Sequence, residues 1–237
     1  MRRIFSVVAV LAVLVLAADR GAAWAAERVL SKQIEQRAEL TSAPGVDIGG
    51  FPFLTQVLQG RYTRVQVDVG DSFVVRGLRV DRSTGVAEGL RAPFQDLVNR
   101  DLDTLRVEDA TVEVHMPFKE FERLVDDEVG ASGLDLRFSE GDEGRLAMAG
   151  ELATPLGAVR LRAPVDAVVN DGAMRLKLRG NALGRLPDAA RDLVEQGLDR
   201  PFALPDLPMG FEVTSTEVDG TGVSLVAQSR NTRLTVP

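Results

Sequence analysis

The sequence predicts a β-dominated α+β fold: a single elongated antiparallel sheet, curved or barrel-like, wrapped around amphipathic helices. Three observations predict it. Short runs with apolar residues at every second position recur through most of the chain. Turn-forming Gly, Asn and Asp clusters separate consecutive runs, as in a meander of hairpins. Only a few short helical patterns interrupt them, without a strand–helix–strand rhythm. One-sided strands need cover for their apolar face, and a sheet curved around one or two helices supplies it.

The elements follow in order. Met1-Arg2-Arg3 is a basic start, Ile4 to Ala18 is apolar apart from Ser6, and Ala23-Trp24-Ala25 has the A-x-A form of a cleavage site. This is the layout of a secretory signal peptide. An uncleaved anchor, with the helix continuing through Gly21 to Ala26, is the open alternative, and either way the folded part is exported. Twin arginines stand at Arg2-Arg3, but the rest of a twin-arginine signal is missing. Ala26, Leu30, Ile34 and Ala38 form a narrow apolar stripe on a polar helix that links leader to domain. Pro44-Gly45 and Gly49-Gly50 mark a loop after it. Phe51 to Gly60 reads as a short helix with Pro52 in its first turn, Gly60 as cap, and Phe53, Leu54, Val57 and Leu58 on one face.

Alternating strands follow: Val65, Val67 and Val69; Val112, Val114 and Met116; Leu134, Leu136 and Phe138; Leu146, Met148 and Leu152; Val159, Leu161 and Val165; Met174, Leu176 and Leu178; then Phe211 with Val213 and Val223 with Leu225. Turns at 139–144, Asn170-Asp-Gly172 and Asp219-Gly220 separate some of them. Two helices interrupt the series. Pro117 to Val129 aligns Phe118, Phe121, Leu124 and Val125. Pro187 to Asp199 aligns Leu193, Val194 and Leu198. No shift of composition marks an internal boundary. The organisation expected is a leader over 1–26, a helical linker over 27–50 and one β-rich domain over 51–237.

Composition excludes much chemistry. The 237 residues carry a formal charge of −7, which argues against a nucleic-acid partner. The leader through Ala26 holds Arg2, Arg3 and Arg20 against Asp19, so the remainder is more acidic still. No cysteine and one histidine, His115, remove thiolate sites, cysteine nucleophiles and schemes that need two histidines. No metal or other cofactor is expected. His115 alternates onto the polar side of its strand and reads as a surface residue. Asp126-Asp127-Glu128 reads as the solvated face of a helix rather than a glycosidase pair. Ser139 to Gly144 reads as a hairpin turn, its spacing unlike a calcium loop. Phosphate-binding loops and nucleophile elbows are missing.

Two sets of residues remain. The aliphatic inward positions suit acyl chains as well as one another: burying a methylene is worth ~0.8 kcal/mol, so a tail of ~16 carbons gains on the order of 10 kcal/mol before ordering costs. A dry core built of the same residues is the alternative. Arg160, Arg162, Arg175, Lys177 and Arg179 gather on the polar faces of neighbouring strands, where they contact phosphate head groups or pair with acids.

Gly50-Phe-Pro-Phe-Leu-Thr-Gln-Val-Leu-Gln-Gly-Arg-Tyr62, with the valine-rich strand after it, resembles the actinobacterial LmeA-like phospholipid-binding family. Met116-Pro117-Phe118 and Leu204 to Gly210 are in keeping with it. The resemblance implies a fold similar to the tubular lipid-binding proteins, phospholipid as partner, a membrane-associated place in the cell envelope, and in one branch a part in mannan-lipid assembly. It supplies no catalytic residues. It also implies that Phe51, Phe53, Leu54, Val57 and Leu58 help form the apolar interior. The expectation is therefore a non-enzymatic, exported phospholipid-binding or lipid-shuttling protein of a periplasm-like space, secreted or held by its leader. The rivals are an envelope interaction module with a solid core and a carboxylate-dependent glycolipid enzyme.

Overall fold

The structure, a computed structural model, describes residues 2–75, 77–93, 105–129, 135–154, 157–170, 173–179, 184, 191, 202–203 and 210–233. In chain order the elements are α1 (Arg2–Arg37), β1 (Gly45–Gly49), α2 (Phe53–Gln59), β2 (Arg61–Val69), β3 (Phe73–Val75), β4 (Leu78–Val80), β5 (Arg82–Arg91), β6 (Arg106–Pro117), α3 (Phe118–Val129), β7 (Asp135–Glu140), β8 (Leu146–Thr154), β9 (Gly157–Asn170), β10 (Ala173–Leu178), β11 (Phe202–Ala203), β12 (Glu212–Asp219) and β13 (Gly222–Arg233). This is the β-dominated α+β class the alternation predicts. The strands form a six-stranded sheet ordered β1-β2-β5-β6-β13-β12, a five-stranded sheet ordered β11-β10-β9-β8-β7, and the β3–β4 pair. Every pairing with a described register is antiparallel.

The chain divides into two compact units. The first comprises Met1–Asp71, Thr84–Thr111 and Ser229–Pro237. Here α1 is continuous from the apolar leader into the polar stripe. β1 pairs with β2, setting Ile48 opposite Val65. Between them α2 starts behind Pro52 and ends on Gly60, whose φ of 61° lets its N–H turn back to Val57 O at 3.2 Å. A Cβ on Gly60 would stand 2.8 Å from Pro93 Cα, so space as well as conformation demands glycine. The core of this unit is Ala23, Ile48, Phe53, Tyr62, Ala92 and Leu105. Phe53 and Tyr62 meet with ring centroids 6.4 Å apart. On the sheet surface Glu108 takes Arg91 at 2.9 Å and Arg61 at 3.5 Å. The Arg91 hydrogen bond chiefly holds its carboxyl below the usual range.

The second unit comprises Ser72–Ser83 and Val112–Gln228. β7 to β10 form consecutive hairpins. Leu136 lies opposite Gly150, Met148 opposite Ala163, and Leu176 opposite Ala167. The turn at 139–144 joins β7 to β8 as the expected hairpin and carries a short 3-10 helix over Asp142–Gly144. One sheet face buries Leu136, Phe138, Leu146, Met148, Ala163, Val165, Met174 and Leu176. α3 lays Phe121 and Val125 on this apolar layer. Phe121 and Phe138 meet edge-on at 5.0 Å.

Several strands were not legible. β1 falls in a segment that reads as a loop because glycines bracket it. β5 contains Gly85, Gly89, Ser83 and Thr84, which blur its alternation. Its extended form is set by the strands on either side. The expected helix over 187–199, with Leu193, Val194 and Leu198, lies outside the described residues apart from Arg191, as does 204–209.

Candidate functional site

The apolar candidates on α3 are the best placed. Phe121 and Val125 are fully buried, and Phe118 and Leu124 pack half-buried against the same cluster. Their register on the sheet is fixed by Glu122, whose Oε1 accepts the Phe138 N–H at 2.8 Å, while Oε2 faces Arg137 at 3.8 Å. A carboxylate anchored on a strand amide prevents α3 from rolling over the layer beneath it. The cluster that Phe121 and Val125 join holds Met148 and Met174 from the five-stranded sheet and Met116 from the end of β6, three of the chain's five methionines. Unbranched thioethers adapt their shape to an irregular partner more readily than branched aliphatics do.

The opposite face of the five-stranded sheet is cationic. Arg160 and Arg162 on β9, Arg175 and Lys177 on β10, and Arg179 just beyond are all exposed, with Arg137 on β7. The register carries Arg137 across Ala149 to Arg162, and sets Lys177 opposite Asp166 and Arg175 opposite Val168. Asp166 is paired already, to Arg179 Nε at 2.5 Å. The same register sets Glu151 opposite Arg160 and Asp135 opposite Glu151, so the face carries three acids among the cations contributed by three strands.

In the first unit the candidate block 51–58 splits between two environments. Phe53 is buried and Val57 packs against the same core, whereas Phe51, Leu54 and Leu58 are 59%, 42% and 87% exposed. The four apolar residues of α2 therefore do not share one face. Phe53 and Val57 form one i, i+4 pair, and Leu54 and Leu58 form another rotated away from it. The inward position beside Phe53 and Val57 goes to Gln56. Its amide donates to Gly49 O at 3.1 Å and accepts the Thr63 N–H at 2.9 Å.

His115 is a correction. It is not a surface residue but 2% exposed. The β12–β13 hairpin covers it because Gly222 brings that turn onto β6, where even a Cβ would strike Met116 O. Nδ1 lies 3.2 Å from Ser224 Oγ and Nε2 3.1 Å from Thr221 Oγ1. Asp219 Oδ1 accepts from the Thr221 and Gly222 amides at 2.8 and 3.0 Å, and Oδ2 pairs with Arg82 at 3.0 Å. The hydrogen bonds from Thr221 chiefly hold the Asp219 pKa down to about 2. Alternation alone missed this network; the Asp-Gly-Thr-Gly turn was its one signal. Asp126 is exposed on α3 as expected. Among the described residues no group of three His, Asp or Glu side chains could hold a metal ion.

Together these features define a class: a β-rich α+β protein with a long apolar N-terminal helix, one sheet face closed by an amphipathic helix over a methionine-containing layer, and a cationic face opposite. The chain belongs to the LmeA-like phospholipid-binding family, whose profile matches residues 17–228. Neither a curated protein nor a solved structure matches it.

Proposed function

We propose that the protein is a non-enzymatic phospholipid carrier of the cell envelope, holding acyl chains in an apolar groove between α3 and the inner face of the five-stranded sheet. The observation that carries this reading is the clustering of Met116, Met148 and Met174 with Phe121 and Val125, in a chain of a phospholipid-binding family. Methionine side chains shift at low cost to admit a guest, and each buried methylene of that guest contributes ~0.8 kcal/mol. Phe118 and Leu124 edge this cluster; Leu193, Val194 and Leu198 are lining candidates by their sequence pattern alone and lie outside the described residues. Phe53 and Val57 are assigned to an apolar lining of the first unit. Arg160, Arg162, Arg175, Lys177 and Arg179 lie across the sheet from that groove and are the candidates for the anionic head group, which in this reading meets them around the sheet's edge. The reading extends to a part in the assembly of an envelope glycolipid of lipomannan type, an extension that rests on the resemblance to one branch of the family alone.

Organic extraction of the purified full chain, followed by lipid mass spectrometry, tests it. Stoichiometric phospholipid is the expected result. A lipid-free protein that also ignores fluorescent acyl probes would favour a filled-core interaction module.

A further inference from the structure

We infer that α1 stays attached as a membrane-spanning helix, and that Phe51, Leu54 and Leu58 form a patch that enters the outer leaflet of the same bilayer. α1 is long and apolar enough to cross a membrane. The structure adds how it joins the domain. Asp19, 2% exposed, caps α2: its carboxylate accepts the Phe53 N–H at 3.0 Å and the Leu54 N–H at 2.9 Å. One turn on, Ala23 is buried in the core with Phe53 and Tyr62. Farther along, Glu27 accepts the Ile48 N–H at 3.1 Å and Ser31 donates to Pro44 O at 2.6 Å. The Ala23-Trp24-Ala25 motif is therefore helical, with its first residue inside the core. Cutting after Ala25 would remove a core side chain and both acceptors at the start of α2.

The dimensions fit a bilayer. Ile4 to Ala18 alone spans about 22 Å at 1.5 Å per residue, short of the ~30 Å hydrocarbon core. Extending to Trp24 reaches about 31 Å. Trp24 is 58% exposed with Arg28 stacked 4.6 Å from its ring, a pairing suited to the head-group boundary. That depth places Asp19 and Arg20 within the membrane margin, where an unpaired charge is costly. Neither is unpaired: Asp19 holds two amides, and Arg20 lies 3.7 Å from Asp19, donates to Gly50 O at 3.4 Å and stacks 5.1 Å from the Phe51 ring. Because Asp19 ties α2 to α1 at this level, the exposed Phe51, Leu54 and Leu58 stand at the depth of the outer leaflet. An apolar patch continuous with a spanning helix has lipid as its natural cover. Arg2 and Arg3 leave the other end positive, which orients the domain outward.

This inference stands apart from lipid carriage, since a lipid-free core would leave it intact. The test uses the full chain, expressed in an exporting bacterial host and reconstituted in vesicles of equal parts phosphatidylcholine and phosphatidylglycerol. The chain has no cysteine, so single Leu58→Cys, Leu54→Cys and Asp68→Cys variants can each carry one environment-sensitive fluorophore. The expected results are an intact mass that retains Trp24, and quenching by spin-labelled acyl chains several-fold stronger at positions 58 and 54 than at 68. A folded chain beginning at Ala26 or Glu27 would overturn the anchor. Equal quenching at all three positions in vesicle-bound protein would overturn the inserted patch.

Discussion

Thr221 Oγ1 stands 3.1 Å from His115 Nε2 and gives its own proton to Asp219 Oδ1 at 2.5 Å. The donor order follows. A hydroxyl that donates to a carboxylate must accept from its other neighbour, so His115 carries its proton on Nε2. Nδ1 then accepts from Ser224. The β12–β13 turn is thereby closed onto β6 by polar contacts inside a mostly apolar unit.

The single histidine makes this arrangement directly observable. Nitrogen NMR of the imidazole at neutral pH should show the Nε2–H tautomer. Replacing Ser224 with Ala should leave that tautomer in place while removing the partner of Nδ1, at a cost of about 1–2 kcal/mol in urea unfolding. An Nδ1–H signal in the parent protein would contradict the donor order.

Asp219 gives this hairpin a pH dependence. Its folded pKa is held down to about 2 from the ordinary 3.8 of an aspartate, a depressed carboxylate. Such a group contributes stability that is fully present above pH ~4 and is lost as pH falls through about 2. With a side chain 47% exposed, solvent screening reduces the contribution to about 1 kcal/mol. Asp219→Asn should lower stability at pH 7 by roughly that amount, more where the Thr221 and Gly222 amides lose their acceptor. It should also flatten the stability profile between pH 4 and 2. Parallel profiles for parent and variant would show that the carboxylate is not so engaged.

The cationic sheet face separates binding from folding. Arg162, Arg175 and Lys177 are exposed and form no described ion pair, so changing each should alter stability by no more than about 0.5 kcal/mol. The triple variant R162E/R175E/K177E should keep the parental unfolding midpoint yet retain several-fold less anionic phospholipid on extraction. Unchanged lipid retention would take these residues out of head-group binding.

How far the sequence could be read depended on which physical signal each element carries. β7 to β10 were legible because one face is buried and the other solvated, and α3 because Pro117 and Gly130 bracket an apolar stripe. His115 was misread because period-two alternation assigns one inside face, whereas at this end of β6 the returning hairpin buries the other. Leu54 and Leu58 were placed with Phe53 because a helix of seven residues holds too few positions to separate adjacent faces. Gln56 was missed because its burial rests on two specific hydrogen bonds, to Gly49 and Thr63, that no periodicity encodes. Asp19 did announce itself, as a charge interrupting an apolar run, but its partners lie 34 and 35 residues away.

Those partners supply the last prediction. Helix α2 begins at Phe53 after Pro52, and no side chain within it caps the N-terminus. The two amides that Asp19 serves are among the first of the helix, which have no intrahelical acceptor. Asp19→Ala leaves both without a partner; Asp19→Asn keeps one carbonyl oxygen and so can serve only one. Hydrogen exchange at Phe53 and Leu54 should therefore be fastest in D19A, intermediate in D19N and slowest in the parent. The unfolding midpoint of D19A should fall below the parent's, as for a lost N-cap. Because a Cβ-only residue still packs beside Ala23, the helix-to-core contact itself is preserved, and the effect should centre on the α2 amides and on Arg20, which loses its carboxylate neighbour. Exchange at those amides unchanged in both variants would mean that α2 is held by Phe53 and Val57 packing alone.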